Sequence, residues 1–468
     1  LHDDDVHTDE PPYTHNVCST SWQAALVAAG SVCAAVDDVV SGRHRTAFCA
    51  VRPPGHHAGP RGIVTCANDS DGTHGFCLLN NVAIGAAYAR ALYGRAPLSY
   101  AAAVDHTADG FYSAPPVPVA EAGAAAASGD APPATNGGAE KPAAAAAAAA
   151  ATTGGLPVIR RIAIFDFDVH HGNGTEAVVR NLYPSEVVET VTLPFVRGAF
   201  SMMSYRPWLD EGDGDDLLFV SSHGYGKRDP AQVGTAPWFY PGSGAPAGWD
   251  AGLVDAFRGG AGGAAAAAAA SAATAAAAAA ASAATAAAAA ASSAPAAGAT
   301  APQPALTAHG TASTVTLQPS PVPEVLLERH IAQPHIINVG LPAGLPPRVW
   351  RRIMTADVLP RLAAFKPDLI FVSAGFDAHV KDTINCGYLS LREEEYEWVT
   401  HQLVKIANTY AAGRIVSVLE GGYRVQGRIV SAFGRSVAAH VRALSSGSTE
   451  TWDTATEHVR TWVTAWVG

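Results

Sequence analysis

The sequence predicts an α/β chain in three layers, with helices on both faces of a central, mostly parallel sheet. Two observations lead there. Short apolar runs at 46–51, 162–165, 217–220, 335–341, 368–373 and 414–419 alternate with longer stretches of helical pattern. That is the order a parallel sheet with crossover helices produces. The polar groups that stand out also share a place, each directly after such a run: His56 and His57, Asp166 to His171, Ser221, Asp377 and Tyr423. In open α/β sheets ligands bind outside the carboxyl ends of the strands, so these groups are expected to converge on one site.

Taken in order, residues 1–13 are acidic and contain prolines, an irregular lead-in. Ser19 or Thr20 is placed to cap a helix to about Val40, with Trp22, Ala25, Leu26 and Val32 among its apolar positions. The run at 46–51 delivers Arg52-Pro-Pro-Gly-His-His-Ala58. Pro-Pro-Gly stops a strand and stiffens the turn, so His56 and His57 are held on a rigid loop. A polar loop over 59–74 leads to Gly75-Phe-Cys-Leu-Leu-Asn-Asn81, which opens a helix to about Tyr93.

Residues 161–174, Arg-Ile-Ala-Ile-Phe-Asp-Phe-Asp-Val-His-His-Gly-Asn-Gly, organise the rest. The apolar half reads as a buried strand. Asp166, Asp168 and His170 then alternate with Phe167 and Val169, so on extended backbone the polar groups face one way. Two carboxylates and an imidazole at a buried strand end are costly unless paired or bound to a cation. A helix over 175–182 and a strand over 187–193 follow, then a polar and aromatic insertion over 197–215. The run at 217–220 ends in Ser221-Ser222-His223, and a loop leads to Trp238-Phe-Tyr-Pro-Gly-Ser-Gly244. Beyond the strand at 335–341, the pattern gives helix over 348–365, a strand ending in Ala374-Gly-Phe-Asp377, helix over 391–410, a strand ending in Glu420-Gly-Gly-Tyr423, and helix over about 429–444.

Two low-complexity stretches, at about 97–157 and 252–323, interrupt what otherwise reads as one catalytic domain over 1–468. Neither has a pattern able to bury a core. The second contains an eleven-residue unit, seven alanines then Ser-Ala-Ala-Thr, at 264–274 and again at 275–285. It is long and uncharged, but alanine is barely apolar and the stretch divides one domain, so it is taken as a tether and not as a membrane span. The formal charge of −11 argues against general nucleic-acid binding. The six cysteines form no C-x-x-C pair, as expected of reduced thiols in an intracellular protein. No basic-then-apolar segment opens the chain, and Leu1 is compatible with a longer precursor.

The chemistry follows from the parts. Asp168, His170 and Asp377 offer two oxygens and a nitrogen, and a catalytic zinc takes three protein ligands and keeps a position for water. A nearby histidine is suited to move the proton, Asp166 to orient a histidine, and the Tyr423 hydroxyl after Gly-Gly to donate to a developing oxyanion. The reaction class is metal-assisted hydrolysis of an amide.

The residues then match a family. The chain resembles the zinc-dependent histone deacetylases, closest to class II, within the arginase/deacetylase fold. The matching segments are Arg52-Pro-Pro-Gly-His-His-Ala58, Gly75-Phe-Cys-Leu-Leu-Asn-Asn81, Asp166-Phe-Asp-Val-His-His-Gly-Asn-Gly174, Phe239-Tyr-Pro-Gly-Ser-Gly244, Ser373-Ala-Gly-Phe-Asp377 and Leu419-Glu-Gly-Gly-Tyr423. The resemblance implies Zn2+ at Asp168, His170 and Asp377. It implies His57 as general base and acid, His56 as its electrostatic partner, Asp166 behind His56 and Asn173 behind His57. It implies Tyr423 polarising the acetyl carbonyl, Phe76 and Tyr240 walling the lysine channel, the Gly75 carbonyl receiving the substrate N–H, and Ile384 and Gly422 bordering the substrate. It also implies a monovalent cation, K+, at Asp166, Asp168, His170, Ser221 and Ser222. The substrate so implied is an acetylated protein, a histone tail or another, with corepressor-type partners, in nucleus or cytoplasm, without direct contact with nucleic acid or membrane. The lead-in is shorter than the family's, 197–215 is enlarged, and the alanine-rich stretches have no counterpart, which bears on substrate choice and not on the metal site. Two other readings stay open. An acetylpolyamine amidohydrolase shares the zinc chemistry, though such relatives tend to carry an acid near the rim where this chain has Ile384. A catalytically silent scaffold is opposed by the intact ligand set and Tyr423.

Overall fold

The structure, a computed structural model, describes residues 18–95, 156–193, 196–228, 236–248, 252, 335–427 and 429–457, with only the backbone over 185–203. The lead-in and nearly all of the two low-complexity stretches lie outside the described residues.

Six strands form one sheet: β1 (Thr46–Cys49), β2 (Ile162–Asp166), β5 (Leu217–Gly224), β6 (Ile336–Leu341), β7 (Leu369–Ala374) and β8 (Ile415–Leu419). Their order is β1-β8-β7-β2-β5-β6, and every pairing is parallel. The central strands are buried along their whole length, which is why they read as continuous apolar runs. Alternate residues still divide between two cores. Ile162, Ile164, Leu217, Phe219, Leu369 and Phe371 enter one, and Ala163, Phe165, Leu218, Val220, Ile370 and Val372 the other. The first face is covered by α1 (Ser21–Val40), α2 (Asn81–Tyr93) and α3 (Asn173–Arg180). The second is covered by α4 (Pro347–Ile353), α5 (Leu359–Phe365), α6 (Glu393–Tyr410) and α7 (Ala432–Leu444). The three-layer αβα arrangement is thus observed.

This topology fixes where a site can form. From β2 the chain crosses by α3 on one face toward β5 and β6. From β7 it crosses by α6 on the opposite face to β8. The two crossovers diverge between β2 and β7, leaving a crevice at the carboxyl ends of these neighbours, the switch point at which α/β sheets bind ligands.

Several expectations need correction. Residues 197–204, expected within an insertion, belong to a strand, β4 (Val196–Ser204), antiparallel to β3 (Ser185–Leu193) in a separate two-stranded sheet. The helix expected over 348–365 is divided by a π turn at Met354–Val358. Pro360 lacks an N–H and crowds the carbonyl four residues earlier, and a wider turn relieves both faults. Trp22 and Leu26, expected on the apolar side of α1, are exposed. The buried stripe runs Ala25, Ala28, Ala29, Val32, Val36 and Val39; Leu26 points off it, and Trp22 lies a turn ahead of its start. Among the described residues α1 is the one helix long and apolar enough to cross a membrane by length and composition, but its stripe packs into the core with α2 and the sheet.

Candidate active site

β2 stops at Asp166, and the next residues are held by carboxylates acting as backbone acceptors. Asp168 N–H donates to Asp166 Oδ1 at 3.0 Å, His170 N–H to Asp168 Oδ1 at 2.9 Å, and Val169 N–H to Asp377 Oδ1 at 2.9 Å. The alternation expected on extended backbone does not extend to Asp168 and His170, because the chain turns after the strand to make these bonds. Asp377 comes from the loop after β7, so the bond to Val169 ties the two central strands at their ends. The result is a buried cluster of Asp168, His170 and Asp377 with potential ligand atoms within 4.8 Å of one another.

The surrounding backbone leaves no room for substitution. A Cβ at Gly375 would overlap the Asp168 carboxylate, and one at Gly421 would overlap Asp377. The Gly421 N–H instead donates to Asp168 Oδ2 at 2.9 Å, tying the loop after β8 to the cluster.

The histidine pair enters from the loop after β1. That loop is anchored by Glu420, whose Oε2 accepts from Gly55 N at 2.7 Å and His56 N at 3.1 Å; Arg52 donates to the Glu420 carbonyl at 2.9 Å. His56 Nδ1 lies 2.9 Å from Asp166 Oδ2, and His57 Nδ1 lies 2.7 Å from Asn173 Oδ1. The two rings stand 4.0 Å apart, and His57 faces His170 at 6.1 Å. Asp166 thus backs the ring of His56, and Asn173 that of His57.

Electrostatics separate the two imidazoles. Burial alone would lower the pKa of His56, but Asp166 and Asp168 overcome it and push it up to about 10. Burial holds His57 well below 6.5, helped by the positive charges of His56 and His170. His56 is therefore a cation and His57 a neutral base. Since the Asn173 oxygen can only accept, His57 carries its proton on Nδ1 and keeps the Nε2 lone pair free.

The cluster itself is short of positive charge. His170 is raised well above its ordinary pKa, Asp377 and Asp168 outweighing burial. Asp377 is pushed up to about 7 by burial and by Asp168. Both shifts place protons among the carboxylates, where a divalent cation would supply the charge instead. Asp377 Oδ2 is buried and, although 3.1 Å from His170 Nδ1, is aligned with no donor. Two carboxylates and an imidazole with an oxygen left unsatisfied fit a metal ion of the Zn2+ kind.

Aromatic groups close around this centre. Tyr240 stands edge-on to His57 at 5.1 Å and to His170 at 5.8 Å, with its hydroxyl 2.9 Å from Thr73 Oγ1. Phe76 faces Tyr423 at 6.0 Å, also edge-on. Gly75 lies against the His57 ring, where a Cβ would overlap the imidazole; its carbonyl accepts from the Cys77 thiol at 3.4 Å. Burial and the charges of Asp377 and Asp168 hold the Tyr423 phenol well above its usual pKa, protonated and close to the cluster. Gly422, directly before Tyr423, has φ +132°, and a Cβ there would overlap the Phe433 ring. Ile384 is buried in the short 3₁₀ turn Thr383–Asn385.

Of the serines, Ser221 pairs with Asp166 in the β2–β5 register and lies on its side of the sheet. Its hydroxyl meets His223 Nδ1 at 2.8 Å. Ser222 points to the other face, where its hydroxyl accepts from Trp350 Nε1 at 2.8 Å.

The structure adds groups to which the sequence assigned no role. Phe239 stacks on His170 at 5.3 Å and 7°. Asp382 Oδ2 accepts from the backbone N–H groups of Tyr423 and Arg424 at 2.7 and 2.9 Å. Beneath the site, His171 joins Ser243 at 2.9 Å to Glu176 at 2.8 Å, and His223 donates to the Gly244 carbonyl at 2.8 Å. These bonds fix the segment that carries Phe239 and Tyr240. Glu420 had a signal, an acid at the end of a buried strand, as Asp166 had.

The family profile described as the histone deacetylase domain matches residues 4–113 and 142–444. The chain belongs to the histone deacetylase family. It is similar to type-2 histone deacetylase 2 of Dictyostelium discoideum, 28% identical over 449 residues, covering 96% of this chain and 15% of that protein. It is also similar to type-2 histone deacetylase 1 of the same organism, 30% identical over 429 residues, covering 92% of this chain and 20% of that one. The chain thus spans a fifth or less of these relatives' length. Among solved structures, the HDA15 HD domain aligns with TM-score 0.42 and 19% identity, covering 94% of this chain and 66% of that one.

Proposed function

We propose that this chain hydrolyses the acetyl amide of Nε-acetyl-lysine in histones or other proteins, with Zn2+ held by Asp168, His170 and Asp377. The observation that carries the reading is the divided histidine pair, a neutral His57 beside a protonated His56, facing a buried Asp168-His170-Asp377 cluster in which one carboxylate oxygen is left unsatisfied. Zn2+ supplies Lewis acidity, lowering the pKa of water to ~7 and polarising a carbonyl. The residues do the rest. His57 Nε2 takes the proton of the attacking water and returns it to the leaving lysine amine. His56, kept charged by Asp166, lowers the cost of negative charge nearby. The Tyr423 hydroxyl donates to the acetyl oxygen as it gains charge. Phe76 and Tyr240 flank the lysine stem, the Gly75 carbonyl accepts the substrate N–H, and Ile384 and Gly422 border the substrate.

The proposal extends to K+ at Asp166, Asp168, His170, Ser221 and Ser222, supported by the apposition of Ser221 to Asp166. With its hydroxyl engaged by Trp350, Ser222 would contribute its carbonyl. Acetylated proteins in nucleus or cytoplasm are the proposed partners, with corepressor-type proteins as a second class and no direct nucleic-acid or membrane contact.

Two measurements test this reading. Purified Asp377→Ala is expected to carry far less zinc than wild type by elemental analysis; undiminished zinc refutes the ligand set. A screen of acetyl-lysine peptides against acetylpolyamines, with and without a chelator, is expected to show chelator-sensitive peptide turnover.

A further inference from the structure

A hollow of about 530 Å³ opens beside Tyr423, lined by Lys381, Arg424, Gln426, Ile429, Val430 and Arg435 among others. It is joined to the active site through the backbone, since Asp382 accepts from the N–H groups of both Tyr423 and Arg424. The wall of the hollow and the proposed oxyanion donor therefore hold a fixed relation.

The charge here is one-sided. Arg435 is paired, its Nε 2.5 Å from Glu393 Oε1, and Glu393 also lies 3.4 Å from His379. Asp382 is buried and spent on three backbone N–H groups, those of Ile384, Tyr423 and Arg424. Among the described residues no carboxylate forms an ion pair with Lys381 or Arg424. Two uncompensated cations thus line a concave surface on a chain whose formal charge is −11. Two exposed aliphatic side chains, Ile429 (97%) and Val430 (51%), line the hollow with them, and the chain neighbours of the two cations, Val380 (42%) and Val425 (64%), are exposed as well. A rim of this composition attracts a carboxylate with an apolar stem and repels lysine or arginine, so it discriminates by repulsion as well as by attraction.

We infer that this hollow receives an acidic side chain flanking the acetyl-lysine, so that the substrates are acidic protein segments and not the basic sequences typical of histone tails. The inference rests on the deacetylase reading and names the substrate class within it. A carboxylate on the residues next to the acetyl-lysine pairs with Arg424 and Lys381, while its methylenes and neighbouring aliphatic groups cover Val425, Ile429 and Val430.

The test compares acetyl-lysine peptides that differ only in Asp/Glu or Lys at the flanking positions. kcat/KM is measured for wild type and for the double variant Lys381→Gln/Arg424→Gln, each referred to its own rate on a minimal acetyl-lysine amide without flanks. Wild type is expected to favour acidic peptides by at least about threefold, in the range of exposed ion pairs. The ratio should shrink at high salt and approach one in the double variant. Equal kcat/KM for acidic and basic flanks, or a preference that survives in the double variant, overturns the inference and leaves the deacetylase reading intact. Fluorescence anisotropy of the same peptides separates the opposite case. Acidic peptides bound preferentially by wild type and not by the double variant, with no acetyl released from any, would uphold the surface and overturn the deacetylase reading.

Discussion

Tyr423 shows what a single hydroxyl is expected to do. Its phenol is held protonated beside Asp377 and Asp168, so Tyr423→Phe removes a donor and little else. An oxyanion donor acts mainly in the transition state, and losing one costs on the order of 10²–10³ in rate. kcat on an acetyl-lysine peptide should fall by that factor while a hydroxamate inhibitor still binds; a loss below about threefold would mean that Tyr423 only packs in its turn. The groups legible in the sequence at this scale are those concentrated in a short segment or placed at strand ends. Asp166, Asp168 and His170 betrayed themselves by density, and Asp377 and Tyr423 by following buried strands, whereas Asn173 was indicated only by the family resemblance. Asp382 gave no such signal, because its work is to cap backbone N–H groups forty-one positions away. Glu176, and the partners of His171, were hidden for a related reason: their bonds reach Asn338 and Ser243, which only the fold brings near.

The strands were legible as elements, since burial on both faces writes itself as an apolar run. Their ends shifted by a few residues, as at β5, which continues through Ser221 and Ser222 to Gly224. The π turn was not legible, because Pro360 permits either a broken helix or a widened one and packing chooses between them. β4 escaped because its partner is the neighbouring β3 and not the main sheet, so no continuous apolar run marks it. Among the described residues, those of the two cores lie outside the low-complexity stretches, whose sequence has no pattern able to bury a core. Loop-closure cost rises only by about 0.6 kcal/mol for each doubling of length, so long insertions between elements are cheap to carry and to remove. Replacing 114–155 and 258–320 each by a short Gly/Ser loop should leave deacetylation of an acetyl-lysine peptide near the wild-type rate. A folded but inactive product would show that these stretches take part in catalysis.

For the whole molecule, acid stability should depend on histidines far from the mouth of the site. His440 is fully buried among Phe48, Phe167 and Phe376, with Thr400 and Ser417 at its two nitrogens. Burial lowers its pKa from 6.5 to about 3. A folded-state pKa below the unfolded one contributes stability that is present above pH 6.5 and is lost as pH falls toward 3. In that window the unfolded chain binds a proton that the native chain does not, which costs about 1.4 kcal/mol per pH unit. Urea unfolding at pH 7, 5.5 and 4.5 should show this slope, reduced in His440→Gln; an unchanged slope would assign it to other groups.

The way the cluster is assembled has a consequence for how the chain holds together. Val169 and Asp377, joined by one hydrogen bond at the cluster, are 208 positions apart. A cation gripped by Asp168, His170 and Asp377 would therefore act as a clasp between the two halves of the chain, closing a very long loop as a crosslink does. It would favour the native form by mass action, by ~2.7 kcal/mol when its free concentration is a hundred times its Kd. A chelator should then lower the melting temperature of wild type and leave that of Asp377→Ala unmoved, so that a thermal scan reads the loading of the clasp without any substrate.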